Sequence, residues 1–337
     1  MMAVVVSRYG GPEVLEVVKL TDPVPRRGEV LVRNSYAGIS YGDIYIRNGT
    51  YRPGQLYGRK PPFVLGLEGG GVVEKLGPGV RGLQPGEPVA YCLSGGSYAE
   101  YTVVSANGLV KVPKELSLRN ATAVMLHGCT AHYLINSITP LKRGAACLIH
   151  AGAGSCGQLM IQMAKQRGLK VFTTVGSLEK ERIVKDLGAD VSILYRSTDF
   201  YDVVKKETNG EGVDIVFDSV GRDTFERSIR CVRTRGTCVL FGASSGPVES
   251  ISPVDLAEAG SVYFVRPHVA HFIGTARELR MRANSVFSGL IAGHLRVHLD
   301  REMPLEEAAK AHELIEARHT SGKVVLSTLA ATEHPSS

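Results

Sequence analysis

Ala151, Gly154 and Gly157 recur every three positions between two apolar runs, and this is the most specific chemical signal in the chain. The first run, 145–149, has strand length. A helical pattern follows the small residues, with Leu159, Ile161, Met163 and Ala164 giving it a buried side. Gly168 is placed to stop that helix, and a second run covers 170–175. Strand, small-residue turn, helix and strand in this order make a phosphate cradle. Glycine lets the backbone turn sharply, and the unpaired N–H groups and dipole of a helix N-terminus favour a pyrophosphate. The same spacing also serves tight strand-to-helix packing, but the flanking elements favour a dinucleotide.

The end of the second strand separates two cofactors. An NAD site wants Asp or Glu there to accept from the ribose 2′-hydroxyl. Here the chain reads Val175-Gly176-Ser177, with no carboxylate, and Lys180 and Arg182 follow within one helical turn. A 2′-phosphate suits that end, so NADPH is expected over NADH. The alternative for Lys180 and Arg182 is a solvated helix face.

Stepping outward, residues 1–123 read as all-β. Short apolar runs at 3–6, 15–18, 30–33, 72–76, 88–91, 99–104 and 109–112 are separated by Gly and Pro turns. Many short strands at this spacing suggest a barrel-like domain. The polar, aromatic stretch 36–57, with Ser40, Tyr41, Asp43 and Tyr45, is a candidate substrate wall or a short capped helix. A helix is expected at 117–138. Helices at 178–187, 200–208 and 222–232 then alternate with strands at 191–194, 213–217 and 236–241, and a short strand falls at 261–265. That alternation implies a doubly wound parallel sheet, with ligand beyond the strand C-termini. The turns at 218–221 and 242–245, which carry Ser219 and Ser244, suit backbone lying against a flat ring. Helices at 276–293 and 305–318, a strand at 323–326 and a polar end expected to fray complete the chain.

Length, 337 residues, makes two domains the natural division. The net charge of +6 is scattered and includes no basic tract, which argues against nucleic acid as the main partner. The cysteines, at 92, 129, 147, 156, 231 and 238, form no C-x-x-C pair, and reduced core thiols are expected. Residues 1–8 lack a signal-peptide layout and no apolar run has spanning length, so a cytoplasmic enzyme is the expectation.

Four segments together resemble a known family: Arg8-Tyr-Gly-Gly-Pro-Glu-Val-Leu15, Gly28-Glu-Val-Leu-Val32, Asp218-Ser-Val-Gly221 and Ala311-His-Glu-Leu-Ile-Glu316. The chain resembles the quinone oxidoreductases, the zinc-free, zeta-crystallin-like branch of medium-chain dehydrogenases/reductases. The resemblance implies an α/β chain: a GroES-like β barrel at 1–123, a Rossmann doubly wound sheet at 124–265, and a segment, 266–337, that returns to the barrel domain. It implies NADPH. Ala151, Gly154 and Gly157 would form the phosphate turn. Lys180 and Tyr195 would hold the adenosine end beside Gly176 and Ser177, Ser244 would lie near the cofactor, and Arg318 would reach its phosphates. Tyr45 and Thr130 would flank the nicotinamide.

Two positions depart from the family pattern. Ser40 stands where the family usually has Asn, and its shorter hydroxyl reaches less far. The phosphate turn usually reads Gly-Gly-x-Gly, and here it reads Gly154-Ser155-Cys156-Gly157. Ser155 fits there only if its φ is negative.

Zinc-dependent relatives carry Cys at the position of Ser40 and His at that of Leu67, and a four-cysteine lobe where Cys92 stands alone. Neither zinc site can be assembled, so no metal is expected. Hydride transfer without a metal needs an electron-poor acceptor, which a quinone or a conjugated enone supplies; the protein's part is orientation and exclusion of water. Tyr45 is the candidate donor to the acceptor oxygen, with Ser40 and Thr130 beside it in the catalytic set. His127, His132 and His150, in apolar surroundings, read as structural. NADPH:quinone reduction is the first expectation and enone or alkenal reduction the second. An RNA-binding or structural, crystallin-like role is the third. A homodimer through the edge strand 261–265 is expected.

Overall fold

The structure is a computed structural model that describes residues 1–328. In chain order the elements are β1 (Met2–Val6), β2 (Leu15–Lys19), β3 (Glu29–Gly38), α1 (Tyr41–Arg47), β4 (Phe63–Val64), β5 (Glu68–Leu76), β6 (Pro88–Cys92), β7 (Tyr101–Ser105), β8 (Leu109–Lys111) and α2 (Leu118–Ser137). Then come β9 (Ala146–Ile149), α3 (Ser155–Gln166), β10 (Lys170–Val175), α4 (Leu178–Asp186), β11 (Val191–Leu194), α5 (Phe200–Glu207), β12 (Val213–Asp218), α6 (Phe225–Cys231), β13 (Val232–Leu240), α7 (Pro253–Glu258) and β14 (Tyr263–Val265). The last elements are α8 (Ala276–Ile291), β15 (Leu299–Pro304), α9 (Ala308–Glu316) and β16 (Lys323–Ser327). The polar end expected to fray lies, from residue 329 onward, outside the described residues.

The chain divides into two compact units, and the division falls inside α2. The first unit comprises residues up to Cys129 and those from Ile273 onward. It holds a three-stranded sheet, β2-β1-β4, and a larger one in the order β15-β16-β3-β5-β6-β8, with β7 also on β3. β16 enters antiparallel to β3, with Val325 opposite Gly38, so the last strand among the described residues joins a sheet begun by the third. Alternate residues of β3, β5, β6 and β7 pack Val30, Val32, Val73, Val89 and Val104 around Tyr91 and Leu109, the inward half of a period-two pattern. β15 has no signature in the sequence, because Leu299-Asp-Arg-Glu-Met-Pro304 carries no apolar run; it is an edge strand with a mostly exposed face.

The second unit, Thr130–Phe272, is a single six-stranded sheet in the order β11-β10-β9-β12-β13-β14, with every pairing parallel. Parallel strands covered on both faces need continuous apolar runs, which β9 and β12 supply with Leu148, Val216 and their neighbours. Counted from β9, the order is 3-2-1-4-5-6, the doubly wound Rossmann arrangement, and its topological switch point lies between β9 and β12.

Candidate cofactor and acceptor sites

Ala151 to Gly157 form the turn from β9 into α3. Glycine is required at Gly157, because a Cβ there would meet the Ala151 carbonyl oxygen at 2.6 Å and Gly152 Cα at 2.8 Å. Gly154 caps α3 with no side-chain hydrogen bond of its own, leaving the approach to the first turn clear of a side chain. Ser155 and Cys156 are the first two helical residues, and neither has positive φ, so the departure from a glycine pair is accommodated. The left-handed position is Ala151, at φ +54°. The motif alone did not reveal that position. A tight turn, a capless helix start and no bulk at Gly157 fit a pyrophosphate.

At the end of β10, Gly176 has Tyr195 beside it: a Cβ on Gly176 would meet the Tyr195 hydroxyl at 2.9 Å. Ser177 caps α4, its Oγ accepting the Lys180 N–H at 3.3 Å. Glu181, in the same first turn, is engaged by the Ser192 hydroxyl (2.8 Å) and Lys185 (2.9 Å), and both hold its carboxyl below the usual range. Lys180 is half-buried. Val175, Gly176 and Ser177 themselves carry no carboxylate, and the acidic residues of the following turn are Glu181, bonded as above, and the exposed Glu179; a strand end without Asp or Glu favours a 2′-phosphate.

Ser219 and Ser244 stand in adjacent turns, joined by the Ser244 N–H to the Ser219 carbonyl at 3.2 Å. Asp218 organises the first of them. Its Oδ1 accepts from the Val220 N–H (2.8 Å) and the Gly221 N–H (3.0 Å), and the Thr224 hydroxyl bonds the same carboxylate. The structure thus brings Ala151–Gly157, Gly176, Ser177, Lys180, Tyr195, Ser219 and Ser244 to the C-terminal side of one parallel sheet. Thr130, half-buried, begins this unit within α2.

Ser40, Tyr45 and Arg318 belong to the first unit. Ser40 precedes α1, and Asp43 reaches back to it: Asp43 Oδ2 accepts both the Ser40 N–H (2.8 Å) and its hydroxyl (2.7 Å). Asp43 Oδ1 accepts the Leu67 N–H at 2.9 Å. The stretch 36–57 thus includes a short capped helix, α1, and the hydroxyl of Ser40 donates to Asp43. Burial pushes the Asp43 carboxyl up to about 6, against the donors from Ser40 and Leu67. Tyr45, 8% exposed, sits in a row of rings, 5.9 Å from Tyr41 and 5.3 Å edge-on from Tyr51. Arg318 is exposed just beyond α9, at φ +59°, where it ends the helix.

Sequence reasoning missed the ion pair beneath α1. Lys323 and Glu68 are wholly buried and bonded to each other. Lys323 Nζ also donates to the Ile39 carbonyl (3.0 Å) and lies 3.4 Å from His127 Nδ1. Glu68 Oε1 accepts the Leu126 N–H at 2.7 Å. Burial, and then Lys323, hold the His127 imidazole well below its ordinary range, so it stays neutral. A lone lysine opening an apolar strand was the available signal. Zinc does not fit these residues. Ser40 is bonded to Asp43, an ammonium already faces Glu68, and the Cys92 thiol is pushed well up by its hydrogen bond to Cys129 and by burial. Among the described residues no group of three His, Cys, Asp or Glu converges as a metal site.

Two family models match: the alcohol dehydrogenase GroES-like domain over residues 26–114, and the zinc-binding dehydrogenase domain over 187–326. Among curated proteins, a 2-haloacrylate reductase from Burkholderia is 39% identical over 332 residues, covering 97% of this chain and 98% of its own. Quinone oxidoreductase 1 of Escherichia coli is 38% identical over 322 residues, covering 95% and 97%. The E. coli quinone oxidoreductase solved in complex with NADPH superposes with a TM-score of 0.93 at 37% identity, over 97% of this chain and 100% of that one. A mycobacterial protein complexed with NADPH gives 0.93 at 40% identity, over the same shares. A likeness of this depth, running end to end in both partners, makes the chain a member of the quinone oxidoreductase family of medium-chain dehydrogenases/reductases.

Proposed function

We propose that this chain is an NADPH-dependent reductase of small quinones that works without zinc. The carrying observation is the C-terminal side of the parallel sheet, where a tight turn with no room for a side chain at Gly157 leads into α3 and the end of β10, Val175 to Ser177, carries no carboxylate. The NADPH complexes of its relatives support it. NADPH supplies the hydride when bound. Backbone from Ala151 to Gly157, including Gly154, Ser155 and Cys156, takes the pyrophosphate. Ser177, Lys180 and Tyr195 take the adenosine end over Gly176, while Ser219 and Ser244 border the ring. Thr130 is assigned to the nicotinamide and Arg318 to a phosphate contact. Tyr45 is assigned to the acceptor oxygen. The Ser40 hydroxyl donates its hydrogen bond to Asp43, so it serves the site as an acceptor and as the start of α1. A quinone fits a site without a metal, because the hydroquinone anion left by hydride addition is delocalised and its proton follows from water.

The test is NADPH oxidation with 1,4-benzoquinone and 9,10-phenanthrenequinone, run beside an α,β-unsaturated aldehyde and 2-chloroacrylate. Turnover of the quinones is the expected result. Turnover of only the conjugated alkenes would replace this reading with the second one, double-bond reduction, which the 39% identity to a 2-haloacrylate reductase favours.

We further propose a homodimer through β14, which ends its sheet with Tyr263 64% exposed. Light scattering that gives the 36.2 kDa chain mass at micromolar concentration would remove it. The cytoplasm is the proposed compartment, supported by six free cysteines. No helix among the described residues is long and apolar enough to cross a membrane.

A further inference from the structure

A buried chain of hydrogen bonds spans the switch point of the parallel sheet. The Ala151 N–H donates to Thr174 Oγ1 at 3.2 Å. Thr174 Oγ1 lies 3.0 Å from His150 Nδ1, and His150 Nε2 lies 3.0 Å from Ser228 Oγ. The Ser228 hydroxyl donates to Asp218 Oδ2 at 2.7 Å. His150, Thr174, Ser228 and Asp218 are all buried, and the Phe200 ring closes edge-on against the imidazole at 4.7 Å.

The proton order follows from the donors available. Asp218 is an acceptor to two backbone N–H groups and the Thr224 hydroxyl, and it takes the Ser228 proton as well. Ser228 Oγ then has only acceptor capacity toward His150, so Nε2 carries the hydrogen. Burial keeps the imidazole below its ordinary range, with Asp218 opposing, so the ring is neutral and Nδ1 accepts. Thr174 gives its hydroxyl proton to Nδ1 and is left to accept the Ala151 N–H. All four bonds point one way, from the phosphate turn to the carboxylate that shapes the Ser219 turn.

We infer that His150 is a positioning residue for the cofactor: through Thr174 it holds Ala151 in its left-handed conformation and ties the phosphate turn to the turn after β12. Three observations join here. Ala151 is a non-glycine residue at φ +54°, a region that L residues rarely adopt. Thr174 grips both sides of that residue, with Oγ1 on the Ala151 N–H and its carbonyl on the Gly152 N–H at 3.1 Å. The His150 N–H donates to the Phe217 carbonyl at 3.0 Å, so the residue also joins β9 to β12 beyond their ladder. His150 touches no reacting atom. Its effect passes through backbone placed by its neighbours. The inference rests on the NADPH reading of this sheet edge.

The experiment measures dissociation constants of full-length variants by calorimetry, with NADPH and with 2′-AMP, which lacks a pyrophosphate. His150→Leu and Thr174→Val should each weaken NADPH about tenfold and leave 2′-AMP within about twofold, the loss of one well-placed hydrogen bond at the phosphate turn. Thr174→Ser keeps the hydroxyl and should bind NADPH as the unmodified chain does. It keeps the idea testable if His150→Leu fails to fold. At saturating NADPH, kcat with a quinone should change little. Unchanged NADPH affinity in Thr174→Val, or equal loss of NADPH and 2′-AMP, would overturn the positioning role. Failure of the unmodified chain to bind NADPH would instead remove the cofactor reading, and this inference with it.

Discussion

Glu68 and Asp218 are both carboxylates without solvent exposure, one in each unit, and they are satisfied by different means. Glu68 opens β5 between β3 and β6, opposite Gly38 and Cys92, where the sheet ladder occupies most of the backbone. It is met by an ammonium, Lys323, and by the Leu126 N–H. Asp218 is the last residue of β12, where the chain leaves the ladder. It is met by two turn N–H groups and two hydroxyls, and among the described residues no cation bonds it. A strand end that runs straight into a turn finds donors in that turn, while one laddered on both sides, as Glu68 is, borrows a charge from elsewhere in the chain. The borrowed charge is the more fragile arrangement, because removing it leaves a buried ion unpaired.

Lys323→Met is the hardest test of that contrast. It should cost about 3–5 kcal/mol, read as a shift in the urea midpoint, and Glu68→Leu added to it should recover much of the loss. A single variant as stable as the unmodified chain would show that the pair is not holding Glu68.

Asp43 sharpens the comparison through pH. Its carboxyl is raised from 3.8 to about 6 by burial, so the stability it contributes is present below its ordinary value and is lost as pH rises through about 6. The stability difference between the unmodified chain and Asp43→Asn should therefore fall by about 3 kcal/mol between pH 3 and pH 8. A flat difference would mean that the donors from Ser40 and Leu67 cancel the effect of burial.

Lys180 gives the smallest effect, since its charge stands at the rim and not in the interior. Lys180→Ala should raise KM for NADPH, at a cost of about 1.5–3 kcal/mol, and leave NADH and kcat nearly unchanged. A variant that prefers NADPH as strongly as before would place the 2′-phosphate elsewhere.

The second unit was the more legible in sequence, and locality explains why. The small-residue turn, the end of β10 without a carboxylate and the alternation of strand and helix are patterns within 30 or so residues, and as geometry all of them appear in the fold. Lys323 and Glu68 lie 255 positions apart, and nothing local marks them as partners. β15 is an exposed edge, so its residues lack the alternation that betrays a strand. His150 read as structural because its neighbours in sequence are apolar; its side-chain partners come from β10 and α6, and its N–H bonds the Phe217 carbonyl on β12. Ala151 was legible as a small residue in a turn, but not as the left-handed one.

The late position of Lys323 also sets an order of events during synthesis. Residues 130–272 are contiguous, so the parallel sheet is complete in the nascent chain well before translation ends. The first unit, although begun earlier, keeps Glu68 without its counter-charge until β16 emerges from the ribosome. Domains usually mature from the N-terminus onward as they are made; here the middle of the chain should mature first. Ribosome-arrested chains ending just before β15 should show protease protection within 130–272 while residues 1–129 are still cut, and equal protection of both would contradict this order.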